Sequence, residues 1–220
     1  MAMKKITNKY YFSVEGETEK WYLEWLEDAI NHASNAECNV QIASIVEKNP
    51  LRFVKRVSNI TKTTVTHVFD FEEPNNKSFV ENKLTEMKRA EGTGKGIKYE
   101  LGYSNLMFEL WLILHKADCN GIVTDKNQYL RKLNNAYGTQ FESLAQYKEK
   151  DNFKIVLSKL SLADVVVAIN RAKTLMKQKY ENGEQKYTYR GYEYYLDNPA
   201  LSIWQKVETI LKECGVEKNI

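Results

Sequence analysis

Tyr10-Tyr11-Phe12-Ser13-Val14-Glu15-Gly16-Glu17-Thr18-Glu19 is the stretch on which the fold reading turns. Its first half is aromatic and β-branched and reads as a buried strand. Gly16 predicts a sharp turn with positive φ, and Thr18 is a suitable N-cap for the helix that follows. Trp21, Tyr22, Trp25, Leu26, Ala29 and Ile30 fall at the spacing of one helix face. Glu15 is thereby placed at the carboxyl end of a strand beside a helix N-terminus. In open α/β sheets that rim is where ligands bind.

The pattern continues along the chain. Asn39 to Val46 alternates as a strand, and Pro50 opens a short helix predicted to run from Leu51 to Ile60. Thr64 to Phe71 is a strongly β-branched strand that ends in Asp70-Phe71-Glu72-Glu73-Pro74. Asn75 to Ala90 reads as a polar helix and Glu91 to Lys98 as a glycine-rich loop. Lys98 to Tyr103 returns as a strand, and Asn105 to Lys116 as a buried helix with Asn105 as its cap. Strands alternating with helices imply a mostly parallel sheet with crossover helices. Beyond Ala117 the segments are helical, at 124–136, 152–160 and from Leu162 onward. Ser161 and Asp164 are spaced as a capping box. A tyrosine-rich stretch, Tyr187 to Tyr195, and a final helix near Pro199 close the chain. The expected organisation is an α/β core over residues 1–116 and a helical extension over 117–220, packed as one unit.

Composition narrows the classes. The 220 residues are 43% hydrophobic, enough for a core, and the formal net charge of +3 is too small to argue for nucleic-acid binding by itself. Three widely spaced cysteines give no disulfide framework and suggest a reducing compartment. The short basic start has no apolar h-region, and no apolar run is long enough for a bilayer. A soluble cytoplasmic protein is the expectation; its oligomeric state, homo-oligomer included, is left open.

The acidic residues carry the chemistry. Glu15 ends one strand, and Asp70 and Glu72, two apart, share a direction if the strand persists. Carboxylate oxygens at one rim suit Mg²⁺, or Mn²⁺ in its place, and such an ion assists phosphoryl chemistry. The plainer alternative is solvated charges at loop starts that favour helix N-termini. Phe108, Trp111, Leu112 and His115 form an apolar stripe, with Glu109 beside it. A carboxylate there must be paired, protonated or at a rim, so Glu109 is a candidate ligand or water orienter. His115 is either a general acid or a satisfied core histidine. Lys95 and Lys98 flank glycines that can close over a phosphate backbone or remain a solvated loop. Arg190 lies among tyrosines that can stack on unpaired bases or pack as a half-buried strand.

Three segments carry a family resemblance. Glu15-Gly16-Glu17-Thr18-Glu19 resembles the glutamate motif of the Toprim fold. Ser104 to His115, Ser-Asn-Leu-Met-Phe-Glu-Leu-Trp-Leu-Ile-Leu-His, is similar to the Asn-x-x-Phe-Glu-x-Trp-x-x-x-His segment of RloB-like proteins. Asn198-Pro199-Ala200-Leu201-Ser202-Ile203-Trp204 sits where that family begins its last helix. The three occur in the family's order across nearly the whole chain. The resemblance implies a Toprim-like sheet with a C-terminal helical annex and Mg²⁺-dependent cleavage of DNA or RNA. It also implies bacterial phage defence of the abortive-infection type, often beside an AAA- or ABC-type ATPase partner. On this pattern Glu15, Asp70 and Glu72 hold the metal, with Glu109 and His115 in support; Glu72 stands where the Toprim pattern has a second Asp. A non-catalytic partner subunit and a nucleotide- or RNA-binding effector module are the alternatives.

Overall fold

A computed structural model describes residues 5–57, 62–72 and 76–216. The sheet comprises β1 (Thr7–Val14), β2 (Asn39–Val46), β3 (Thr64–Asp70), β4 (Lys98–Asn105) and the short β7 (Ala200–Leu201). Their order is β2-β1-β3-β4-β7. All neighbours are parallel except β4 and β7. The expected α/β, mostly parallel sheet flanked by helices is therefore present.

Helices cover both faces. α1 (Glu17–His32) and α4 (Glu109–Lys116) lie over one face. With them lie α5 (Lys126–Tyr137), α7 (Lys150–Leu157), α8 (Leu162–Glu181) and α9 (Ile203–Glu213). On this side Phe12, Val14 and Val68 of the strands meet Tyr22, Leu26 and Trp111 of the helices. α2 (Pro50–Arg56), α3 (Lys77–Glu91) and the hairpin of β5 (Lys186–Tyr189) and β6 (Tyr192–Tyr195) cover the other face. There Val65 and Phe69 of β3 meet Phe53, Val80 and Leu84. The same strand feeds both cores because successive side chains alternate in direction.

This layering fixes the functional rim. The β1–β2 connection crosses on the α1 face, whereas the β2–β3 and β3–β4 connections cross on the α2/α3 face. The direction of winding reverses between β1 and β3, which opens a crevice at their carboxyl ends. The segment after residue 116 is not a separate layer: α8 packs on α4, and β7 completes the sheet beside β4.

Several local expectations need correcting. Gly16 stands at the N-cap of α1 in extended geometry, φ −143°, and Thr18 lies inside the helix. The buried helix begins at Glu109, because β4 continues to Asn105 and a turn follows. Asn105 caps nothing; its side-chain amide donates to the carbonyl of Leu196 and ties β4 to the chain beyond the hairpin. The final helix starts at Ile203, after β7. The predicted end of the second helix at Ile60, and Glu73, Pro74 and Asn75, lie outside the described residues.

Candidate metal centre

Three elements bring carboxylates to the rim on the α1/α4 face. Asp70 ends β3 with the same parity as Val68 and so faces that core. Glu19 lies in the first turn of α1 and Glu109 opens α4. Both sit where the helix dipole favours negative charge. Glu19 is 4% exposed and Glu109 fully buried. Asp70 Oδ1 and both carboxylate oxygens of Glu109 are sealed from solvent without a hydrogen-bond partner.

Gly16 has a physical role here that its backbone angles do not reveal. A Cβ on residue 16 would lie 2.8 Å from Glu19 Oε2. The carboxylate of Glu19 folds back over the helix start, where it accepts from Thr18 Oγ1 at 2.9 Å. The glycine leaves room for that carboxylate, and positive φ plays no part.

The electrostatics of the cluster are unbalanced. Burial raises the Asp70 carboxyl well above the usual range, and the charges of Glu19 and Glu109 add to it. Burial raises Glu19 too; its own backbone amide and Thr18 pull the other way, and Glu109 pushes it up. Lys148, in the turn between α6 (Leu144–Tyr147) and α7, places Nζ 3.4 Å from Glu109 Oε1. Burial works against its charge, but the fields of Glu109, Asp70 and Glu19 outweigh that and hold the ammonium protonated. Beside it, the Tyr147 hydroxyl is buried without a partner. Burial, with Glu109 foremost among the neighbouring charges, raises the phenol far enough that it stays a donor.

The structure does not gather every predicted residue. Glu15 has the opposite parity from Asp70 and turns to the α3 side, where Lys83 Nζ sits 2.8 Å from its Oε1. It remains near enough for its charge to act on Asp70. Glu72 is exposed with φ +51°, so the extended backbone on which a shared direction with Asp70 depends stops at β3. His115 is buried at the far end of α4. Its Nδ1 lies 2.9 Å from the Trp111 carbonyl, which can only accept, so Nδ1 carries the proton. Nε2 then accepts from the Tyr22 hydroxyl at 3.1 Å. Burial lowers the imidazole pKa to about 4, so the ring is neutral and structurally committed.

The basic candidates are also elsewhere. Lys95 Nζ donates to the carbonyls of Val54 and Val57 and closes the C-terminus of α2. Lys98 starts β4, about 20 Å along the strand from Ser104, the register partner of Asp70. Arg190 sits at the tip of the β5–β6 hairpin and donates from Nε to Thr85 Oγ1 at 3.1 Å. None of the three lies at the acidic rim.

Reading by spacing left Glu19 outside the metal set and did not raise Lys148, Tyr147 or their segment. Glu19 carried a signal, its position three residues after Gly16; Lys148 carried none. The donors fit a hard divalent cation: three carboxylates, of which Asp70 Oδ1 is sealed without a hydrogen-bond partner and Glu109 has only the Lys148 ammonium, 3.4 Å from its Oε1. Among the described residues, no three His, Cys, Asp or Glu side chains already form a metal-ligand group. The trio thus converges as charge and not as a finished coordination shell.

A family model described as RloB-like protein matches residues 10–210. No curated protein and no solved structure matches the chain.

Proposed function

The chain belongs to the RloB-like family, and from that membership and the acidic rim we propose a divalent-metal-dependent phosphodiesterase that cuts DNA or RNA. The observation that carries the reading is the trio Glu19, Asp70 and Glu109 at a sheet's carboxyl rim, with Glu19 and Glu109 buried, Asp70 Oδ1 sealed, and the Lys148 ammonium beside Glu109. Such buried like charges are costly unless a cation serves them. Mg²⁺ or Mn²⁺, when bound, would polarise a phosphate oxygen and stabilise the leaving alkoxide.

The chain's own groups supply the rest. Glu19, Asp70 and Glu109 hold the cation, and Glu15 adds negative potential from the next strand. The Lys148 side chain is 43% exposed, so its ammonium can reach outward to a phosphate while its backbone stays fixed. That anchoring comes from Tyr147, whose ring packs on Phe153, which in turn packs on Trp21. A Toprim-like ancestry, a cytoplasmic role in phage defence and an ATPase partner belong to the same proposal and rest on the family resemblance.

A second reading has its own support. The Lys148 ion pair, which serves Glu109 from within the chain, also suits a chain that kept the fold but lost the chemistry. Such a chain would bind a nucleotide or RNA, or partner an ATPase, without cutting.

The experiment is a Mg²⁺/Mn²⁺ titration with cleavage assays on tRNA, single-stranded and supercoiled substrates. Cleavage is expected to be lost in Glu19→Gln, Asp70→Asn and Glu109→Gln and kept in Glu72→Gln and His115→Gln. Nucleic-acid binding that ignores divalent ions and these variants, with nothing cut, would replace the enzyme with the binding module.

A further inference from the structure

Two of the three cysteines meet although 176 residues separate them. Cys38 precedes β2, and Cys214 ends α9. Their sulfurs are 2.6 Å apart, only about 0.6 Å beyond a disulfide bond length. The backbones are docked as well: Glu37 N donates to Cys214 O at 2.8 Å. Gly215 follows with φ +69°, a backbone conformation that glycine adopts without strain.

We propose that Cys38 and Cys214 form a reversible disulfide that staples the end of α9 to the start of β2. The two thiols are not equivalent. Cys38 is 6% exposed, and its sulfur accepts a side-chain N–H from Asn8 at 3.4 Å. Cys214 is fully buried, and burial with the neighbouring Cys38 and Glu213 pushes its thiol up to about 12. Cys38 is therefore the sulfur that meets the oxidant.

The oxidant is a low-molecular-weight disulfide. The Cys38 thiolate attacks one of its sulfurs, forming a mixed disulfide and expelling one small thiolate. Cys214 then gives up its proton to solvent and attacks Cys38 Sγ, releasing the second small thiolate. The protein loses two protons and two electrons in all, and the small disulfide is reduced to two thiols. In a reducing compartment the pair rests as the dithiol, and oxidative challenge closes it. The bond encloses residues 38–214, nearly the whole chain, and so restricts the unfolded state strongly. This inference is independent of the proposed nuclease activity.

The test is refolding of the full chain in buffers of defined oxidised-to-reduced glutathione ratio. Free thiols counted after denaturation should fall from three to one, and intact mass should drop by about 2 Da. Peptide mapping should join the Cys38 and Cys214 peptides, with Cys119 free. The melting temperature should rise by at least about 5 °C and return on reduction. Cys119→Ser should still close the bond, whereas Cys38→Ser and Cys214→Ser should not. Three titratable thiols in the oxidising buffer, a persistent glutathione adduct on Cys38, or a bond to Cys119 would each overturn the proposal.

Discussion

Asp70→Asn should make the protein more stable when no divalent cation is present. Asp70 Oδ1 is sealed and unpartnered, and its carboxylate shares the rim with Glu19 and Glu109. The variant removes the carboxyl whose ionisation burial and its neighbours oppose, and offers an N–H to Glu19 and Glu109. A sealed polar group without a partner costs about 1–3 kcal/mol, more when charged. The gain should therefore be about 1–3 kcal/mol, and a chain of this size shifts its melting temperature by about 2–4 °C per kcal/mol. Wild-type protein should gain from Mn²⁺ instead. At a hundred times the dissociation constant, binding to the folded state alone adds about 2.7 kcal/mol. Thermal melts in EDTA and in millimolar Mn²⁺ check both halves: the variant melts above wild type in EDTA and gains little from the ion. An Asp70→Asn protein that melts below wild type in EDTA, or gains as much from Mn²⁺, would refute the idea that these carboxylates form one strained, cation-seeking group.

The other predictions follow from neighbouring contacts. Lys148→Met should tighten Mn²⁺ binding about tenfold in calorimetry, because the competing ammonium beside Glu109 is gone, and should reduce the salt dependence of nucleic-acid binding by about one unit of slope. Gly16→Ala adds no backbone strain at φ −143° but displaces the Glu19 carboxylate; it should cost under about 1 kcal/mol in stability while weakening Mn²⁺ binding at least tenfold. His115 holds a folded pKa of about 4 against 6.5 unfolded, so its stability contribution is full above pH 6.5 and lost as pH falls toward 4. That is about 3 kcal/mol, and urea titrations at pH 7 and 4.5 should show a smaller acid loss in His115→Gln than in wild type. Glu15→Gln leaves Lys83 without its carboxylate and should cost about 1–3 kcal/mol, with less effect on Mn²⁺ affinity than Asp70→Asn.

Elements were more legible than their ends. Periods of 2 and 3.6 residues marked the strands and helices that later alternate in the sheet, since each element reports its own buried face. The ends depended on contacts from afar. Ser104-Asn105 extends β4 because Asn105 binds the Leu196 carbonyl and Leu201 pairs with Ser104, neither of which is near in sequence.

By itself the sequence determined that strands and helices alternate, that the sheet is mostly parallel, and that Asp70 and Glu109 stand close to element boundaries. These follow from local pattern, because burial of one face imposes a period on the residues that form it. Only the tertiary structure decided which carboxylates share a space. It turned Glu15 toward Lys83, folded Glu19 over Gly16, sent Glu72 outward and brought Lys148 to Glu109. It likewise set Cys38 against Cys214. The reason is that side-chain direction at a rim depends on strand parity, on the last residue that stays extended, and on what distant segments place opposite.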